Sequence, residues 1–166
     1  MREASDPDGA FHLLQQHQSL FTPPPLRSQL LWRMARVQYD KNMRLPDDAK
    51  EDTRKEILKE AVAWAEQAVT EDKSNAEAHK WLAITLGAAA QLQPMKIKVE
   101  YSNKIRHHIT EALRLNPQDA QSHHFLGRHS FRVRGSEFMW AREYQMIVIY
   151  VILHCLAERK SPWMST

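Results

Sequence analysis

Residues 111–128 read EALRLNPQDAQSHHFLGR, and the punctuation inside this stretch decides the fold. Asn116-Pro117 ends one helical pattern, because proline lacks the backbone donor and biases its predecessor away from helix. A second helix begins near Asp119, two residues later. Upstream, Tyr101, Ile105, Ile109 and Ala112 recur at helical spacing, and downstream the new helix carries Phe125, Leu126 and Gly127. The stretch is therefore the joint between two helices.

Counting outward shows that the joint repeats. Ile105, Ile109, Ala112 and Pro117 are separated by four, three and five residues, and Ala61, Ala65, Ala68 and Lys73 repeat that spacing. The Leu126-Gly127 pair lies as far from Pro117 as Leu82-Ala83 lies from Lys73. These intervals resemble tetratricopeptide repeats, in which small residues let two antiparallel helices approach closely. Helix pairs at a near-fixed interval bury their apolar faces only against neighbouring pairs. The expected fold is all-α: tetratricopeptide-like antiparallel helix pairs stacked as a short α-solenoid. The linkers at 42–53 and 91–102 are longer than a standard repeat unit allows.

The remaining chain fits around this frame. Asp6-Pro7 can start a short helix with Phe11, Leu14 and Leu13 on its apolar side, and Pro23-Pro24-Pro25 then reads as an extended link. From Leu26 to about Met43, the residues Leu30, Leu31, Met34, Ala35 and Val37 make an apolar stripe. A second helix runs to about Val69 with Ile57, Ala61, Ala65, Ala68 and Val69, and a third carries Ala78, Leu82, Ala83, Leu86 and Ala90 before Pro94. Three segments follow: residues 1–25, a short helix and Pro-rich link; residues 26–134, the helical-repeat domain; and residues 135–166, an atypical C-terminal apolar segment. The run Met146 to Ala157 in the last segment is too short for the roughly 30 Å hydrocarbon core and reads as a helix capping the final repeat, with an interfacial or tail anchor or a variant end as alternatives.

Composition narrows the function class. The four glycines among 166 residues are scattered, which excludes a phosphate-cradling loop, and neither a nucleophile elbow nor an HExxH motif occurs. The single Cys155 lies in an apolar run, where a thiol is usually inert. A non-enzyme without cofactor is expected. Adjacent pairs such as His107-His108 and His123-His124 point to different helix faces. His107 and Glu111 stand at i, i+4 without a visible third ligand, so no metal site is expected. With no pair for Cys155, no Asn-x-Ser/Thr acceptor and no basic-then-apolar leader, a reducing compartment, the cytosol, fits best.

Charge is uneven along the chain. Residues 47–73 hold five Lys/Arg against nine Asp/Glu, and residues 94–135 hold eight against three. A basic half attracts an acidic partner. Lys96, His107 and Arg114 fall on one side of a helix at about 100° per residue, away from Tyr101, Ile105 and Ile109. With Lys104, Arg106 and Arg128 they form the candidate partner-binding set.

Three segments together resemble a known family: LLWRMARVQYD at 30–40, AEAHKWLAI at 76–84, and YSNKIRHHITEALRLNPQDAQSHHFLGR at 101–128. They are similar to passages of the regulator of microtubule dynamics proteins, over residues 11–128 or so, and the likeness fades after Arg128. The resemblance implies association with microtubules, at the spindle in chromosome segregation, and a cytoplasmic, cytoskeletal location. It also leaves open a mitochondrial or membrane-contact module that binds lipid. Repeat physics adds a third reading, a scaffold that captures a peptide. Tubulin is the expected partner, with anionic lipid or a peptide as alternatives. No nucleic acid partner and no transmembrane span are expected.

Overall fold

The structure, a computed structural model, describes residues 6–130. The chain divides into two compact units, Met1–Leu126 and Gly127–Thr166. The expected C-terminal cap at 135–166 lies outside the described residues. The elements are α1 (Pro7–Gln16), a 3-10 turn (Gln18–Leu20), α2 (Pro24–Arg44), α3 (Glu51–Glu71), α4 (Ala76–Gln91) and α5 (Met95–Leu115). Residues 120–130 are helical as well and are called α6 below. The protein is all-α, with adjacent helices packed in pairs.

Local chemistry accounts for the helix starts. The Asp6 carboxylate accepts the Asp8 backbone N–H at 3.0 Å and Pro7 opens α1. The proline triplet corrects the expected extended link. Only Pro23 is extended, with φ −66° and ψ 138°, while Pro24 and Pro25 already form the first turn of α2. First-turn N–H groups have no intrahelical acceptor, so proline costs nothing there. The long linkers expected at 42–53 and 91–102 also shorten, because α2 reaches Arg44, α3 begins at Glu51, and α5 begins at Met95 directly after Pro94. The extra residues are spent on helix, not loop.

Packing follows the pairing. Helix α2 lies against α3, and α4 lies against α5 while also resting on α3 and α2; α1 covers part of α2. One core cluster joins Ala35, Ala65, Leu82, Ala83, Leu86, Ile105 and Ile109, and a second joins Leu31, Trp32, Ala68, Ala78, Trp81 and Ile84. Each fully buried Leu, Ile or Met contributes about 1.5–3 kcal/mol. The small residues sit where helices cross: Ala35, Ala61, Ala65, Ala68, Ala78 and Ala83 are wholly excluded from solvent. Val37, Ile57 and Ala90, expected on the apolar stripes, are only half-buried, and Leu58 takes the inward position beside Ile57. Phe125 comes so near Gly87 that a Cβ there would lie 2.9 Å from the ring, so this glycine makes room for α6.

Polar groups tie the helices at three places. The Asn75 side chain caps α4 by accepting the N–H groups of Glu77 and Ala78, and its amide donates to the Ser28 hydroxyl at 2.9 Å. Ser28 in turn donates to the Ala68 carbonyl at 2.8 Å, which links α2, α3 and α4. Lys80, with its side chain only 7% exposed, pairs with Glu77 at 2.6 Å and with Asp119 at 3.3 Å. Burial raises the Asp119 carboxyl, but the Ser122 hydroxyl and the Lys80 ammonium outweigh it, leaving it below its ordinary value.

The third tie is a pair of imidazoles between α4 and α5. His79 Nε2 lies 3.1 Å from the Lys73 carbonyl and so donates to it. In a neutral ring that leaves Nδ1 as an acceptor, and His108 Nδ1–H donates to it across 3.0 Å. Burial depresses both rings, His108 to about 4, with His79, His107 and Lys104 adding to the effect on His108 and Glu111 opposing it.

Two outcomes follow from this packing. Ala61→Leu or Ala112→Leu should destabilise the protein by roughly 1–3 kcal/mol through overpacking; unchanged thermal melting would mean these alanines do not face a neighbour. Because the folded-state values of His79 and His108 lie below 6.5, the unfolded chain binds more protons as pH falls. Stability should therefore be complete above pH 6.5 and decline as pH drops toward about 4. His108→Gln should flatten the upper part of that decline in melting measured against pH, and an unchanged profile would show that the pair carries no proton linkage.

Candidate interaction surface

Helix α5 presents its core side through Ile105, Ile109 and Ala112, all buried, and this fixes what faces outward. Lys96, Lys104, Arg106, His107 and Arg114 are exposed. At about 100° per residue Lys96, His107 and Arg114 share one line along the helix, with Lys104 to one side and Arg106 to the other. Arg128 is exposed too, in the second compact unit.

The α5 row is not purely basic. Glu100 is exposed and Glu111 half-buried on the same side, and the Arg114 guanidinium donates to Glu111 at 2.9 Å. That hydrogen bond holds the Glu111 carboxyl below its usual range. The charge of Arg114 is thus partly answered within the helix. His107 stacks edge-on against the half-buried His108 with ring centres 5.0 Å apart, which connects the exposed row to the His79–His108 pair.

The outer side of α3 has the opposite sign. Asp52, Glu56, Glu60 and Glu66 are exposed there with Lys59, while Lys55 is engaged by Glu51 at 2.6 Å. Most of the acidic residues of 47–73 thus lie on α3, and five of the eight basic residues of 94–135 lie on α5, two helices both packed on α4.

Sequence reasoning passed over a second group of cations, on α2. Arg33 lies 4.2 Å over the Trp32 ring and Arg36 lies 5.4 Å from the centre of the Trp81 ring. Both arginines are exposed and both indoles nearly buried. The adjacency of Trp32 and Arg33 was visible, but the meeting of Arg36 with Trp81 depends on how α4 packs on α2. A shallow recess of about 350 Å³ beside the 3-10 turn is lined by Gln18, Ser19, Phe21, Thr22 and Arg27 and gathers no acid–base pair. Among the described residues, no group of three or more His, Cys, Asp or Glu is placed to hold a metal ion, and no helix is long and apolar enough to cross a membrane.

The family model described as regulator of microtubule dynamics protein 1-3 matches residues 1–146, past Arg128, where the sequence likeness had faded. The chain is similar to regulator of microtubule dynamics protein 1 of Bos taurus, with 33% identity over 113 residues, 68% of this chain and 34% of the relative. The Mus musculus protein of the same name is 33% identical over 99 residues, 60% of this chain and 32% of the relative. Regulator of microtubule dynamics protein 3 of Xenopus laevis is 31% identical over 123 residues, 74% of this chain and 25% of the relative. The chain thus spans about a third of the length of the protein 1 relatives and a quarter of that protein 3. With nearly the whole sequence under the family model, the chain belongs to the regulator of microtubule dynamics protein family.

Proposed function

We propose that this chain is a non-catalytic, microtubule-associated adaptor of the cytoskeleton, acting at the spindle in chromosome segregation, and that it meets the microtubule through the exposed cations of α5. Membership of a family whose members are named for regulating microtubule dynamics carries the reading. The row Lys96, Lys104, Arg106, His107 and Arg114 supports it with a surface suited to the acidic tails of tubulin. Exposed ion pairs are worth little individually, roughly 0–1 kcal/mol each, so several must act together. Such a surface steers encounter over long range more than it holds by any one contact.

Cosedimentation with polymerised microtubules tests this. Binding should be present at low salt and weaken as the Debye length shrinks from about 30 Å at 0.01 M to about 8 Å at 0.15 M. Charge reversal at Lys96, Lys104, Arg106 and Arg114 should weaken it further while helicity is kept, with reversal of Arg128 measured as a separate variant. Binding that survives reversal of the α5 row would remove that row from the mechanism. Flotation with anionic vesicles and no pelleting with microtubules would replace the microtubule reading with a lipid-binding one.

A further inference from the structure

Helix α2 carries an outward stripe that the microtubule reading does not use. Gln29, Arg33, Arg36 and Asp40 fall within roughly 60° of one another at about 100° per residue. The two arginines are exposed, whereas Trp32 and Trp81 are 7% and 5% exposed. Each guanidinium is laid on an indole, at 4.2 Å and 5.4 Å, and Tyr39 braces Trp81 edge-on with ring centres 5.9 Å apart. Both distances lie within the roughly 6 Å over which a cation is drawn to an aromatic face.

Gln29 sets the geometry at Arg33. Its side-chain oxygen accepts from Trp32 Nε1 and from Arg33 Nη1, each at 2.9 Å. Stacking and this shared acceptor fix the guanidinium plane while leaving further N–H groups of the fork for a ligand. Arg36 meets a carboxylate already, but poorly: Asp40 stands 3.7 Å away, against about 2.7–2.9 Å for a charge-assisted hydrogen bond. A better placed carboxylate would displace it. Under the stripe, the buried Trp81 Nε1 has no hydrogen-bond partner.

We infer that this α2 stripe is a docking site for an acidic peptide segment in extended form, with Arg33 and Arg36 each taking a carboxylate. Residues three apart on a helix place their Cβ atoms roughly 5–6 Å apart, and alternate residues of an extended chain rise about 6.6–6.8 Å. Two arginine side chains span that difference easily. The planar forks match planar carboxylates, and Asp40 already brings a carboxylate toward one of them. The site lies on α2 and so stands or falls independently of the α5 row.

The indoles beneath the arginines report on occupancy. Hexaglutamate peptide, with hexaglutamine as control, should change the tryptophan emission of the intact chain in a saturable way. Losing a charged hydrogen-bonding group at Arg33→Gln or Arg36→Gln should weaken this roughly tenfold or more. Asp40→Asn should tighten it, because the competing carboxylate is gone, and this gain cannot come from misfolding. Reversal of Lys104 and Arg114 on α5 should leave peptide binding in place even if it abolishes microtubule pelleting. The inference is overturned if hexaglutamate does not bind, if the arginine variants bind it unchanged, if Asp40→Asn weakens binding, or if the α5 reversal alone removes it. Preference of the same arginines for oligothymidylate over hexaglutamate would overturn the peptide assignment.

Discussion

Everything in the described unit depends on α4 being enclosed by its neighbours. From Ala78 to Leu86 every residue is buried, including His79, Lys80 and Thr85. A helix can be covered on all sides only if its neighbours come close, which requires small residues where they cross. Ala65 and Ala68 on α3, Ala35 on α2 and Ala112 on α5 supply them. Three polar side chains caught in this enclosure are answered: His79 by His108 and a carbonyl, Lys80 by Glu77 and Asp119, Thr85 by the Trp81 carbonyl at 2.9 Å; the Trp81 indole N–H is the exception. An unanswered buried charge would cost several kcal/mol, so these partners are conditions of the fold.

The same requirement explains what the sequence made legible. Alanine spacing at 61, 65 and 68 and the Asn116-Pro117 joint are local signals, and they marked the helix pairs and the position of α6 correctly. Helix ends are less legible, because Pro24, Pro25 and the residues after Pro94 carry linker signals yet are helix. Proline stops a helix from the inside but opens one at its first turn, and the pattern alone does not say which applies. Leu58 was missed beside Ile57 for a related reason: a shift of 100° changes which neighbour faces inward, and only packing decides it.

The interaction surfaces divide in the same way. Exposure of the α5 cations could be anticipated from their position opposite Ile105 and Ile109. The hydrogen bond from Arg114 to Glu111 follows from i, i+3 spacing, yet its effect on the net charge of the row appears only with the geometry. The Arg36–Trp81 stack and the His79–His108 bond join residues 45 and 29 positions apart, so no local pattern contains them. The first arises where one helix pair packs on the next, the second where α4 and α5 pair with each other.

On the proposed function, the exposed cations of α5 would meet the microtubule and the acidic side of α3 would not. Lysine acetylation of the intact protein with and without polymerised microtubules tests it most directly. Lys96 and Lys104 on α5 should become protected from the reagent, and Lys59 on α3, exposed as well, should react as before. Protection of Lys59 with Lys96 and Lys104 unchanged would contradict the account.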